Sequence, residues 1–341
     1  MFDDLIGNNE VKDAVKRLIA ARRIPNALLL AGPEGIGKKR FAIELAKSIV
    51  CREPREFEAC GECIACRRAE NFVLPNADAK GDEYDAVFFS EHPDVGMVVP
   101  FNRILRVGSI RALETEANFR PFEAAARVFI IDDAHKMNDA SSNALLKTLE
   151  EPPATSHIFL ISSKPDALLP TIRSRSQVLR FSPVAPDEIE HFLLTTHKYS
   201  QEDARLIAAC SGGSIARAVS VETEEFRRRR DDAIEILRSA ILDKDIVALL
   251  KKAEGISDAK NKEGFEDFLD VLQAVIHQVW SVRVGGRSLW DLTAIDELAE
   301  TADTDSLASW LRDIEEIRSA LAVNINKKIA ADGLLVRMAA K

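Results

Sequence analysis

Several things are missing or scarce in these 341 residues, and each absence narrows the field. No apolar run approaches the roughly 20 residues of a membrane-crossing helix, so a membrane-spanning chain is not expected. The opening MFDDLIGNNEVKDAVKRL begins with acids and lacks a basic-then-apolar leader, which argues against secretion and for a cytoplasmic location. Positive charge is not in excess either: 46 Lys and Arg stand against 55 Asp and Glu, a formal net charge of −9. Affinity for polyanions comes mostly from Lys and Arg displacing counterions, so any DNA contact must be local. The densest basic run, Arg227 to Arg230, has Glu224 four residues before Arg228 and Asp232 four after it. That spacing is expected of a solvated helix face held by ion pairs. No repeat of fixed period occurs in the sequence.

What is present, 46% hydrophobic and 30% charged residues, is the composition of a soluble globular protein, and the length favours two or three domains. From residue 9 to about 182, helical and strand periods alternate, as in a parallel sheet covered by helices. The unbroken apolar runs at 26–32, 94–99, 127–132, 157–162 and 176–181 are expected to be strands buried on both faces. Helices are expected at 9–22, from the glycine-rich loop to about residue 48, near 109–117 and at 139–151, the last stopped by Pro152-Pro153. Residues 71–94 show no period and are expected to form a surface excursion. SPVAP (182–186) marks a joint, after which strands cease. Three domains follow: an α/β P-loop domain over 1–183 with a cysteine insertion at 51–66, a small helical domain over 184–222, and an all-α domain over 223–341.

Three groups of residues carry chemistry. The first is AGPEGIGKKRFA, residues 31–42, a strand-to-helix phosphate loop of the form G-x-x-x-x-G-K. Gly32, Gly35 and Gly37 let backbone N–H groups approach phosphate, and Lys38 reaches the β- and γ-phosphates. The next residue is normally Ser or Thr, whose hydroxyl holds Mg²⁺; here it is Lys39. A metal-holding acid should end a buried strand, and RVFIIDDAH supplies Asp132 and Asp133. The second group is Cys51, Cys60, Cys63 and Cys66, four of the five cysteines. Clustered thiols in a reducing compartment point to metal before disulfide. A closed Cys₄ site is structural and zinc is favoured, with an iron–sulfur cluster or an incidental cluster as alternatives. Cys210, alone on an apolar helix face, is expected in the core. The third is LLPTIRSRSQ (168–177). Taken alone, Arg173 and Arg175 read as surface charges; beside a nucleotide site, a Ser-Arg pair can be a finger that neutralises phosphoryl charge in a neighbouring subunit. His92, His135 and His157 have no ligand-like spacing and are assigned no chemistry.

These residues resemble the AAA+ clamp loaders of bacterial DNA polymerase III over essentially the whole chain. FDDLIGN, GPEGIGK, VFIIDDAHKMNDASSNALLKTLEEPP, TIRSRS and the Cys₄ insertion carry the likeness. NINKKIAADGLLVRM (324–338) is similar to the end of the helical collar in the family's stator subunit and favours stator over motor. The resemblance implies an AAA+ domain, a helical lid and a collar, in one member of a five-subunit ring that places a sliding clamp on primer-template DNA. Its implied partners are the gamma/tau and delta subunits. It also implies Arg175 as a trans arginine finger, Ser162 or Ser163 at the sensor strand end, and Arg217 near the lid arginine position. Three departures stand out: Lys39 removes the metal-binding hydroxyl, Asp133 replaces the water-polarising Glu, and Ser176 replaces the Cys after the finger. Turnover by the chain itself is therefore not expected, and binding of ATP and Mg²⁺ is left open. The alternatives are an ATP-hydrolysing gamma/tau-type motor and an unrelated P-loop kinase or repair ATPase.

Overall fold

The computed structural model describes the chain except residues 1, 3, 57, 77–79, 198, 244–246, 248, 250, 252–263, 287, 289–292, 322–325, 340 and 341. Two compact units emerge, Met1–Ala185 with Ser214–Ala216, and Pro186–Gly213 with Arg217–Lys341.

The first unit is built on a six-stranded sheet: β1 (Ala27–Ala31), β2 (Phe88–Phe89), β3 (Val95–Val98), β4 (Arg127–Ile131), β5 (Ser156–Ser162) and β6 (Gln177–Arg180). Its order is β2-β3-β4-β5-β1-β6, parallel throughout except for the antiparallel β2. Successive strand residues face opposite sides. Leu28 and Leu30 therefore join one core with Val128, Ile130, Phe159 and Ile161, while Ala27, Leu29 and Ala31 join the other with Phe129, Ile131, Ile158 and Leu160. Phe41, Ala42, Leu45 and Ala46 of α2 (Lys38–Val50), with Val11, Val15 and Ile19 of α1 (Asn9–Ala20), cover the first face. Ile110 and Leu113 of α4 (Val107–Ala117) and Leu145 and Leu149 of α5 (Asp139–Glu150) cover the second. Between α2 and α4 lies α3 (Ile64–Glu70). This is the α/β P-loop fold expected of the sequence.

Two expectations need correction here. β6 is not buried on both faces; only Leu179 is buried, because the strand lies at the sheet's edge. The stretch 71–94 is not wholly a surface excursion. It forms a 3₁₀ turn at Gly81–Tyr84, adds β2 to the sheet, and ends with His92 and Asp94 buried. A two-residue strand leaves no period to read. Asp94 tolerates burial because its carboxylate accepts the N–H groups of Phe122, Glu123 and Ala124 at 2.7–2.9 Å and lies 3.7 Å from Arg127.

The second unit is helical, from α7 (Pro186–Phe192) and α8 (Gln201–Cys210) through α9 (Ile215–Ser220), whose first two residues belong to the first unit, and α10 (Thr223–Arg238) to helices at Gly264–Arg283, Thr304–Leu321 and Lys327–Ala339. Of the segment 324–338, residues 324 and 325 lie outside the described residues, and Lys327 onward is helix. The Arg227–Arg230 run is an ion-paired face of α10, although Glu224 pairs with Arg227 rather than Arg228. Arg227 also grips Asp203 through two bonds of 2.9 and 2.8 Å, and Arg229 joins Glu225 to Asp267. Burial opposes ionisation of Asp203, but Arg227 and the Ser200 hydroxyl outweigh it and hold the carboxyl below its ordinary pKa.

Candidate functional site

The loop leaving β1 starts at Gly32, where a side chain would run into the Phe181 backbone carbonyl. It ends at Gly37, the residue before α2, whose φ of 93° suits glycine. Between them, the Gly35 carbonyl accepts the N–H of Ala216 at 2.9 Å, so residues 214–216 are seated on the loop. Lys38, only 6% exposed, turns its ammonium back to donate to the carbonyls of Gly32, at 2.7 Å, and Pro33. Burial lowers its pKa, with Glu34, Asp133 and Asp132 pulling the other way.

The loop and the acid pair meet through Lys39. Its ammonium lies 3.0 Å from Oδ2 of Asp132, which follows β4. The loop residue Lys39 and the carboxylate at the end of β4 are thus paired with each other. Asp133 adopts a left-handed conformation with φ 48° and accepts from Lys136 at 2.8 Å. At the end of β5, the buried Ser162 hydroxyl accepts the Lys164 N–H, while Ser163 lies 3.4 Å from Nε2 of His135. His135, to which the sequence assigned nothing, flanks the acid pair with its pKa lowered by burial. Its place two residues after Asp133 is the signal the sequence offers. The arrangement offers backbone amides and lysines to a phosphate, but it has no hydroxyl at position 39 and no free carboxylate at 132 for a metal.

The remaining arginines lie elsewhere in their units. Arg175 follows α6 (Pro170–Ser174), is partly exposed, and is held by Glu150 at 2.9 Å and the Thr171 carbonyl at 3.3 Å. Arg173 pairs with Asp166 at 2.6 Å. Ser176 is buried, and its hydroxyl donates to the Ile172 carbonyl, so the Cys-to-Ser departure leaves no unsatisfied polar group. Arg217, in the second unit, pairs with Asp270 at 2.7 Å.

The four cysteines converge. Their sulfurs lie within 4.8 Å of one another, with Cys51–Cys60 at 3.6, Cys51–Cys63 at 4.0 and Cys60–Cys66 at 3.9 Å. A tetrahedron with metal–sulfur bonds of about 2.3 Å has edges of about 3.8 Å, close to these three separations, so the donor set fits one ion. Backbone N–H groups point at the sulfurs: that of Cys60 at Cys51 and that of Cys63 at Cys60, each at 3.3 Å. Burial opposes ionisation of Cys63, but the amides of Cys66 and Arg52 and the neighbouring thiols lower its pKa to about 6. Burial pushes Cys51 and Cys66 up, as in a cluster of buried thiols that a cation would ionise. Cys210, away from this cluster in the second unit, is partly buried, and burial raises its pKa.

Residues 7–185 match the family described as "DNA polymerase III, delta subunit". The chain is 29% identical over 327 residues to the DNA polymerase III subunit delta' of Bacillus subtilis, covering 93% of each chain. It is 26% identical over 324 residues to the delta' of Escherichia coli, covering 93% of this chain and 90% of that one. A Mycobacterium bovis subunit gamma/tau is 30% identical over 74% of this chain, but the match spans only 42% of that protein.

Proposed function

The chain belongs to the DNA polymerase III delta subunit family, its likeness to delta prime subunits runs nearly end to end, and we propose that it is the non-hydrolysing stator of a clamp loader. In this reading it occupies one position of a ring with gamma/tau and delta subunits in the cytoplasm. It helps place a sliding clamp on primer-template DNA and lends Arg175 to a neighbour's ATP site. Residues 1–183 act as the AAA+ domain, 184–222 as the lid and 223–341 as the ring-forming collar. The observation that favours the stator over the motor is the Lys39–Asp132 pair at 3.0 Å, which sets the chain's own cation against a carboxylate that this reading gives to a metal. The gamma/tau alternative would need that position open.

Assembly tests this directly. Mixed with gamma/tau and delta, the purified chain should enter a single larger species by light scattering, and omitting it should leave the ring incomplete. A chain that stays monomeric in every mixture argues for an independent P-loop protein. The isolated chain should hydrolyse ATP at background level, and a metal-dependent turnover abolished by Lys38→Ala would favour the motor.

The cysteine cage is proposed to hold one Zn²⁺, bound by Cys51, Cys60, Cys63 and Cys66. With no open coordination position, the ion would organise residues 51–66 and take no part in chemistry. Elemental analysis should find about one zinc per chain, the content of a Cys₄ site. Iron with visible charge-transfer absorption would point to a cluster instead. Cys63→Ser exchanges a soft ligand for a weaker, hard one and should speed amide exchange across residues 50–70, leaving the second unit unchanged.

A further inference from the structure

The cysteine segment is bracketed by two arginines, Arg52 next to the first ligand and Arg68 two residues past the last. Both reach the same carboxylate. Oε2 of Glu123 accepts from Arg52 at 3.0 Å, and Arg68 donates to Oε1 and Oε2 at 3.0 and 3.1 Å. Glu123 lies 71 and 55 residues away from these partners in sequence. It is placed by the buried Asp94, which accepts the N–H of Glu123 itself and those of both neighbouring residues. Arg68 is further fixed by donating to the Glu91 carbonyl at 2.9 and 2.7 Å.

We propose that Glu123 is a positioning residue for the metal, holding the two ends of the cysteine segment together from outside it so that the cage is closed before an ion arrives. This rests on the metal reading of the four cysteines. Arginine–carboxylate pairs at a surface add little to global stability. Their consequence here is local. Closing the segment across residues 52–68 carries an entropic penalty that metal binding would otherwise have to meet. Partners outside the ligand set that orient ligands typically contribute about 10–100-fold to metal affinity. Glu123 touches no sulfur and acts through the arginines, so the lower end of that range applies.

The test compares zinc-loaded wild type, Glu123→Gln, the double variant Arg52→Ala/Arg68→Ala, the triple combination, and Glu62→Gln. Glu62 accepts from Arg55 at 2.6 Å inside the segment without bridging its ends. Release of zinc to a chromogenic chelator is followed in the folded proteins, and cobalt replaces zinc to report ligand geometry by its visible bands. Glu123→Gln, which keeps the side chain's size, should release zinc about tenfold faster and broaden the cobalt bands. The triple variant should be no faster than the double, since all three changes break one link. Glu62→Gln should match wild type. Wild-type release from Glu123→Gln, or equal acceleration by Glu62→Gln, overturns the role of Glu123 while leaving the metal site standing. Wild-type protein that takes up neither zinc nor cobalt overturns both.

Discussion

Arg175→Ala is expected to slow ATP turnover at one site of the reconstituted clamp loader by about 10³–10⁵-fold, the range of trans arginine fingers, with ring assembly intact. The expectation follows from where Arg175 is held. Its guanidinium is partly exposed and tied to Glu150 at 2.9 Å and to one backbone carbonyl. An exposed ion pair of this kind contributes about 0–1 kcal/mol. A finger worth 10³–10⁵ supplies about 4–7 kcal/mol to the transition state. If Arg175 is such a finger, giving up the Glu150 pair costs far less than the finger supplies in the transition state, so that pair would not prevent the role. Glu150→Gln should accordingly leave turnover near wild type. Arg175→Lys should restore only part of the rate, because it keeps the charge and loses the planar fork. Steady-state assays will dilute the loss, since other sites in the ring keep their own fingers, so single-turnover measurement on the assembled ring is the decisive readout. Wild-type rates for Arg175→Ala in every assay would return Arg175 to an ordinary surface charge, like Arg173 with its Asp166.

The parts of this chain legible in its sequence are those fixed by short-range pattern. Runs such as NALLLAG and RVFIID declare buried strands because both faces must be apolar. The C-x₂-C-x₂-C spacing declares a cage because three thiols at that interval have few other uses in a reducing compartment. β6 is harder to read because an apolar run at a sheet edge looks like one in its middle, and β2 is invisible because two residues carry no periodicity. The Asp94–Glu123–arginine link was invisible for a different reason. It is made of ordinary charged residues whose meaning depends on contacts across 55 to 71 positions. Lys39 stands between these cases. The sequence reveals the lost hydroxyl and the cation in its place. In the structure that cation is already paired with Asp132, the carboxylate a metal would need.

Lys39→Thr is therefore expected to do two things at once: supply the missing hydroxyl and release Asp132. Two charge-assisted contacts to a bound ion at about 1.5 kcal/mol each would add about 3 kcal/mol. That corresponds to a gain on the order of a hundredfold in nucleotide affinity, seen with Mg²⁺ and abolished by EDTA. The loop can use such an ion, because Lys38 and the backbone amides at the start of α2 remain in place. Wild-type protein should bind nucleotide no better with Mg²⁺ than without, since Lys39 already occupies the metal's side of the site. Hydrolysis should stay at background in Lys39→Thr, because Asp133 is one methylene short of the glutamate that polarises water and is engaged by Lys136 at 2.8 Å. Only Lys39→Thr combined with Asp133→Glu should show turnover, and only weakly. Calorimetric titration with a non-hydrolysable ATP analogue, with Mg²⁺ and with EDTA, decides the matter. Equal affinity in the two conditions for Lys39→Thr would mean that Asp132 is not withheld from a metal by Lys39, and that this loop was retired by something other than its own tethered cation.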